Sequence, residues 1–285
     1  MWKTVVWIIV GLATVIVAAL VYGSNRWQSA TNEMHARMEA ARSPVGPTTY
    51  SASELIGLPA PVQRYFRVAL TDGQPIMVAV RMEHTGSFNM NATGDDQWRP
   101  FSSTQRVITQ RPGFDWEARV AMLPGLPVRV HDAYIAGEGI LHASLFGLVS
   151  VAELRGTPDA AHGELLRFFA EAVWYPTALL PSQGVRWEAV DDSSAKATMQ
   201  DGATTATLLF RFNADGLIDS MRAESRGALI DGVIVPTPWE GRFWTYELRD
   251  GMRVPLEGEV AWMFPAGQRP YWRGRITSIA YEFAR

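Results

Sequence analysis

The chain has 285 residues, of which 47% are hydrophobic and 19% charged. This is enough apolar material for a sizeable core and far from a disordered composition. A net charge of −3 gives no basic field for a nucleic-acid backbone. The absence of cysteine excludes disulfides, thiolate metal centres, CxxC redox chemistry and a Cys nucleophile.

The first element is Thr4 to Gly23, a run without a charge. At 1.5 Å per residue a helix of this length spans about 30 Å, the thickness of a hydrocarbon core. Trp2 and Trp7 flank one end and Tyr22 and Trp27 the other, as interfacial rings do. The run is longer than a signal-peptide core, and Val21-Tyr22-Gly23 is a poor cleavage site, so an uncleaved single-pass anchor over residues 1–23 is favoured. Basic residues nearly balance across the span. Lys3 in a short N-terminal tail favours an inner-membrane anchor with the rest of the chain outside the cytoplasm.

Residues 24–49 read as a juxtamembrane helix followed by a Pro/Gly-rich linker from Ser43 to Thr49. Glu33 and Glu39 are most simply solvated helix charges. A single α+β domain is then expected over residues 50–285. Ser51-Ala52-Ser53-Glu54 fits a capping box. Pro61 opens a helix that places Val62, Tyr65, Phe66 and Ala69 on one face. From Ile76 the period becomes two: Val78, Val80, Met82, His84, Phe88 and Met90 share one face of a strand. Further strands are expected near 98–109, 114–122 and 127–136. A helix capped by Thr157 follows, with Leu165, Leu166, Phe168, Phe169, Ala172 and Val173 on its apolar face. Glu164, Arg167 and Glu171 form its opposite stripe, and Pro176 stops it. Asp201-Gly202, Asp215-Gly216 and Asp250-Gly251 then mark turns between strands. The architecture expected is an N-terminal transmembrane helix followed by a large curved antiparallel sheet, half-barrel-like, packed on one long helix.

Residues 163–187, GELLRFFAEAVWYPTALLPSQGVRW, resemble the central signature of an uncharacterised bacterial family of membrane-anchored proteins. The resemblance continues in PGFDWEARV (112–120), DAYIAGEG (132–139), PTPWEGRF (236–243), VPLEGEVAW (254–262) and YWRGRI (271–276). It brings no established activity and no site residues. The strand order is also loosely similar to the periplasmic lipoprotein-carrier fold, in which a half-closed sheet holds a lipid chain against a helix.

No GxSxG, HExxH or phosphate-loop motif occurs. Gly137-Glu138-Gly139-Ile140-Leu141-His142 is an incomplete GxGxxG without a strand–helix context. The five histidines form no metal-ligand spacing, and no metal, cofactor or catalytic residue is assigned. His131-Asp132 is the nearest approach to a general-base pair, yet neighbours on a strand face opposite ways. Arg167 and Glu171 read as an exposed i,i+4 ion pair, with Glu171 entering a pocket as the alternative. Asn91-Ala92-Thr93 matches a glycosylation sequon, to which no role is given. Eleven Trp residues are many for this length. They fill a core or line a pocket for an acyl chain. The candidate ligand-binding residues are Phe114, Trp116, Met122, Leu126, Glu171 and Trp174, with Leu123 to Pro127 as a lid.

The reading is a membrane-anchored, non-enzymatic binding domain for a lipid or other apolar small molecule. Its partners are the membrane, through residues 4–23, and that ligand; no nucleic acid and no identified protein partner is expected. The alternatives are a structural or interaction subunit of an envelope complex, or a hydrolase built around His131, Asp132 and Glu171.

Overall fold

In the computed structural model the described residues are 2–44, 46–91, 94–123, 126–230 and 232–285, excluding the side chains of Leu123 and Leu126. One uninterrupted helix, α1 (Trp2–Ala40), carries both the apolar run and the polar segment after it. A 3₁₀ turn (Ala52–Leu55) and α2 (Ala60–Ala69) follow. Ser51 caps the turn by accepting from the Ser53 amide. Glu54 does not complete a capping box; its carboxylate accepts from the Ser182 amide at 3.1 Å. The face of α2 read from the sequence is the buried one, with Val62, Tyr65, Phe66 and Ala69 all in the core.

Six strands come next: β1 (Met77–Asn89), β2 (Trp98–Ile108), β3 (Gly113–Leu123), β4 (Leu126–Ile135), β5 (Glu138–Leu145) and β6 (Val149–Arg155). Helix α3 (Pro158–Glu171) leads through three 3₁₀ turns, between Ala172 and Gln183, into seven more. These are β7 (Arg186–Asp191), β8 (Ser194–Asp201), β9 (Thr204–Phe212), β10 (Ile218–Ile230), β11 (Val233–Arg249), β12 (Met252–Phe264) and β13 (Gly267–Phe283). All lie in one open antiparallel sheet ordered β6-β5-β4-β3-β2-β1-β13-β12-β11-β10-β9-β8-β7. Each half is a meander, and β1 pairing with β13 joins them. The fold is therefore α+β, with a long N-terminal apolar helix and a curved antiparallel sheet.

Helix α3 begins where Thr157 accepts from the Ala160 amide at 3.1 Å, with Pro158 in the first turn. It crosses the concave face and packs on β4 and β5 of one half and on β9 and β10 of the other. It ends at Glu171, five residues before Pro176, because the chain tightens into 3₁₀ turns. The curvature has a visible source. Gly86, Gly274 and Gly258 are register partners on β1, β13 and β12. Without side chains there the sheet bends, and the rings of Phe101, Trp272 and Phe243 lie across the gap. Gly241, Gly258 and Gly274 are the glycines of the WEG, LEG and WRG motifs.

Several expectations are met closely and some are corrected. At Asp250-Gly251 both φ values are positive (45° and 81°) between the paired Arg249 and Met252, a two-residue type I′ hairpin. Strands β5, β6 and β7 have no counterpart in the sequence reading, because their short, weakly apolar segments lack a clean alternation. The incomplete GxGxxG is the β4–β5 turn and the start of β5. A bulge between Met77 and Ala79 puts Met77, not Val78, in the main core, and Met90 lies beyond the strand and is exposed. Ala92 and Thr93 of the sequon lie outside the described residues, as do Val45 of the linker and Pro124 and Gly125 of the expected lid.

Trp27 is not an interfacial ring. It is 2% exposed, stacks on His131 with ring centroids 4.4 Å apart, and donates to Glu117 at 2.7 Å. The polar half of α1 lies along the convex face of the sheet. Contacts run in order along it: Gly23 against Phe146 and Leu148, Trp27 on His131 and His142, His35 on Asp115, and Met38 beside Gly113 and Ile108. Glu39 keeps a 38% exposed side chain and also pairs with Arg106 at 2.5 Å and Arg42 at 2.8 Å.

Candidate functional site

The concave face divides into two zones along its strands. Nearer the α2 end, and in the middle under α3, it is packed solid: Phe114, Phe168, Phe169, Tyr175 and Phe210 are fully buried. Towards the β1–β2 and β12–β13 turns it opens. There Phe88, Val260, Trp262, Tyr271 and Trp272 are only partly buried and still pack on the core. Trp262 stacks on Tyr271 at 5.5 Å, and Tyr271 meets Phe88 edge-on at 5.7 Å. This is an aromatic basin at the open end of the half-barrel.

The floor of the basin is ionic. The α3 stripe read as solvent-facing is turned into the sheet instead. Arg167 pairs with Asp132 at 2.5 Å and Glu171 at 2.8 Å, and its guanidinium lies over the Phe114 and Trp116 rings at 4.9 and 5.0 Å. Both partners of the Arg167–Glu171 pair have side chains only 13% exposed, so the expectation of an exposed surface pair is corrected. Gln105 donates to the second oxygen of Glu171 at 2.5 Å. A bulge between Ala223 and Arg226 turns Arg226 inward. Arg226 reaches Glu164 at 3.0 Å, the Gly163 carbonyl at 3.1 Å and the Tyr271 hydroxyl at 3.2 Å, over the Trp239 ring at 4.5 Å. A second bulge, between Val260 and Ala261, lets adjacent Tyr271 and Trp272 both join the inner aromatic group.

These surroundings shift the titrating groups. Burial opposes the Arg167 charge, but Glu171, Asp132 and Glu164 outweigh it and raise its pKa. Burial, helped by Asp132, pushes the Glu164 carboxyl up against the pull of Arg226 and Arg167. Burial, helped by Arg167, lowers His84 from 6.5 to about 3.

Four mostly apolar-surrounded groups keep a polar atom without a hydrogen-bond partner among the described residues: Trp116 Nε1, Trp174 Nε1, His84 Nε2 and Gln105 Oε1. Their residues are each at most 4% exposed. They are neighbours: His84 and Trp174 ring centroids are 5.5 Å apart, Gln105 is the register partner of Trp116, and Trp272 borders His84 at 6.3 Å and Trp174 at 6.4 Å. His84 Nδ1 shares a hydrogen bond with the Ser103 hydroxyl at 3.3 Å, which leaves Nε2 as the unpaired ring nitrogen. Two indole N–H donors, one imidazole nitrogen and one carbonyl acceptor thus lie unsatisfied where the aromatic basin meets the ionic floor, a costly state for buried groups.

Native His84 stays neutral down to about pH 3, whereas in the unfolded chain it takes up a proton below 6.5. The unfolded state therefore binds more protons in that window, and stability falls as pH falls through it. His84→Phe is expected to remove about 2 kcal/mol of the loss between pH 7 and pH 5. Denaturant unfolding of the full chain in detergent at the two pH values measures it.

Phe114, Trp116 and Glu171 gather around Arg167, and Trp174 lies by His84 at 5.5 Å and Phe243 at 6.2 Å. Met122 does not join them; β3 places it towards the open rim, roughly 26 Å along the strand from Phe114 at 3.3 Å per residue. The Leu126 side chain lies outside the described residues. Arg226 and Gln105 are absent from the sequence reading, and Glu164 and Tyr271 appear there only as a helix-stripe charge and a strand residue. The available signal was a break in alternation at each bulge, where Tyr271-Trp272 and Arg226 interrupt the period of two.

His131 and Asp132 face opposite sides of β4, so they form no pair. His131 belongs to the convex face, in a chain from Thr31 (3.0 Å) through His131 to Asp115 (2.8 Å) and on to His35 (2.9 Å). Burial would raise the Asp115 carboxyl, but hydrogen bonds from His131 and His35 hold it below its usual range. The order hydroxyl–imidazole–carboxylate is that of a hydrolase relay. Here Thr31 is 3% and His131 1% exposed, sealed between α1 and the sheet, which leaves a substrate no approach. The chain works as a clasp for α1. Beside it lies a polar groove of about 480 Å³ lined by His35, Arg81, Glu83, Arg106, Asp115 and Glu117.

Comparison with known proteins gives the following. None of the curated proteins matches the chain. Solved structures with a similar course include a Vibrio parahaemolyticus domain provisionally described as an outer membrane lipoprotein-sorting protein (10% identity, 72% of this chain and 85% of that one, TM-score 0.39). A DUF1329 family protein from Desulfovibrio piger shares 13% identity over 72% of this chain and 86% of its own, with a TM-score of 0.38. A LolA superfamily protein from Nitrosomonas europaea shares 11% over 78% and 92%, with a TM-score of 0.35. The pattern of one family of unknown function covers residues 56–281, and the chain accordingly belongs to that family, DUF6920.

Proposed function

We propose that this protein is a membrane-tethered, non-enzymatic binding module for an amphipathic molecule with an apolar chain and an oxygen-rich polar end, of the fatty-acyl type. One observation carries the reading: two unpaired indole N–H groups and an unpaired imidazole nitrogen lie at the foot of a half-open aromatic basin. The basin rings Phe88, Trp262, Tyr271 and Trp272 offer apolar surface to hydrocarbon. Trp116 and Trp174 offer indole donors to a carbonyl or carboxylate oxygen, with the free His84 nitrogen beside them. The apolar window of α1 is entirely unburied, with a mean hydropathy of 2.7, which supports a single-pass anchor. The three apparent domains of the sequence reading, anchor 1–23, juxtamembrane segment 24–49 and binding domain 50–285, remain part of this proposal, with the domain held outside the cytoplasm.

The packed middle of the concave face favours a second reading, an interaction subunit with a solid core and no ligand. Full-length protein in nanodiscs containing phospholipid with a photoreactive acyl chain separates the two. Cross-links on Phe88, Val260, Trp262 or Trp272 are expected. Cross-links confined to residues 2–22 would overturn the binding reading.

A further inference from the structure

We infer that the polar end of the ligand is uncharged and carries both an acceptor oxygen and an N–H or O–H donor, as a fatty amide or a hydroxyl-bearing acyl ester does. The inference rests on the reading of the basin as an acyl site and narrows it, because a carboxylate, a sulfonate and a simple ester each lack part of that description. The unpaired atoms of the floor set the first requirement. Gln105 Nε2 donates to one oxygen of Glu171 at 2.5 Å, while Arg167 Nε donates to the other at 2.8 Å. A carboxylate can only accept, so the Gln105 amide nitrogen is held against Glu171 and its carbonyl oxygen is the arm left over. That oxygen is buried without a donor. The indole N–H of Trp116, on the strand position directly opposite, is buried without an acceptor. Trp174 Nε1 and His84 Nε2 lie unpaired in neighbouring rings. Among the described residues the floor therefore lacks a donor and lacks acceptors at once. A ligand oxygen alone satisfies the indoles and leaves the Gln105 carbonyl stranded. An amide, or a hydroxyl beside a carbonyl, supplies both.

The charges of the floor set the second requirement. Arg167 is engaged by Glu171 and by Asp132. Arg226 donates to Glu164, to the Gly163 carbonyl and to the Tyr271 hydroxyl. Three carboxyl groups thus share two guanidinium groups, and each cation already faces a carboxylate of the protein. The second oxygen of Glu164 has no partner. Burial, helped by Asp132, raises this carboxyl from 4.5 to about 8. A floor that holds one of its own carboxyls towards the neutral form has no counter-charge for another. His84 adds none, since burial keeps its imidazole neutral above about pH 3. An ionised end would lie uncompensated beside Asp132 and Glu171, a penalty that an uncharged end of the same shape escapes. Hydrogen bonding and charge therefore select the same class of ligand.

Four probes of one chain length test this: palmitamide, monopalmitoylglycerol, methyl palmitate and hexadecanesulfonate. They are offered in pairs, at equal mole fraction in detergent micelles, to the full-length protein, and native mass spectrometry reads the ratio of adducts. Palmitamide, monopalmitoylglycerol or both are expected to exceed methyl palmitate and hexadecanesulfonate by about tenfold, the scale of one buried unsatisfied hydrogen bond. A preference carried by one of the two supports the inference and identifies amide or glyceride as the source. Methyl palmitate binding as well as both overturns the donor requirement. Hexadecanesulfonate binding as well as both overturns the uncharged end. No adduct with any of the four means that the acyl-site reading itself fails, a result distinct from a wrong choice of polar end. Gln105→Met is expected to abolish the preference for palmitamide over methyl palmitate, and a preference kept at the wild-type ratio overturns the role of Gln105. The wild-type series decides the ligand class whether or not the variant folds.

Discussion

Arg167→Met is expected to destabilise the protein by about 3–5 kcal/mol, the usual cost of stranding buried partners of a broken ion pair. The guanidinium neutralises Asp132 and Glu171 together and lies on the Phe114 and Trp116 rings. Methionine keeps much of the apolar stem and removes the charge, so two largely buried carboxylates remain without their shared cation. The variant Arg167→Met/Asp132→Asn/Glu171→Gln is expected to recover most of the loss, because the charges leave together. Urea unfolding of the full chain in detergent tests both. If the triple variant is as unstable as the single one, then packing of Arg167, not charge, dominates.

Gly139→Ala is expected to cost about 3 kcal/mol, towards the upper range for overpacking. A Cβ there would lie 2.3 Å from both the carbonyl carbon and oxygen of Ala160 and 2.7 Å from the Ala161 amide nitrogen. All three are backbone atoms of the first turn of α3, which cannot give way without lifting the helix from β5. Gly163→Ala, in the same helix, is the matched control. Its nearest contact would be Arg226 Nε at 3.5 Å, an ordinary distance, and alanine gains about 1 kcal/mol of helix propensity over glycine. The pair should therefore shift the unfolding midpoint in opposite directions. A tolerated Gly139→Ala would mean that α3 is not seated as described.

Much of this architecture is legible in residues taken in order. The charge-free run, the Pro61 and Thr157 helix starts and the Asp250-Gly251 turn each depend on local chemistry, and local chemistry is what a sequence displays. The buried charges are less visible for a physical reason. On α3, Glu164, Arg167 and Glu171 form a polar stripe, which on an ordinary amphipathic helix faces water. Here the sheet curls around the helix and meets that stripe with Asp132, Gln105 and Arg226 from distant strands. Nothing within twenty residues of Arg167 announces that Asp132 waits for it. Trp27 misleads in the same way: it follows the apolar run closely enough to look like an interfacial anchor, and only the fold reveals His131 beneath it. At the bulges the period of two fails, and with it the means of assigning Tyr271 and Arg226 to the inner face. Of the six residues first singled out, Phe114, Trp116 and Glu171 meet Arg167 because they lie on β3 or at the end of α3, and Trp174 borders His84. Met122 is separated from them by the length of its own strand.

The central claim is that the half-barrel holds an acyl-type molecule. Native mass spectrometry of the full-length protein, released from nanodiscs and followed by organic extraction, tests it most directly. The account expects one adduct of lipid-like mass per chain, lost when Trp272→Ala is combined with Val260→Arg in the basin. A clean mass of the bare chain, released from lipid under conditions that preserve the fold, would contradict it.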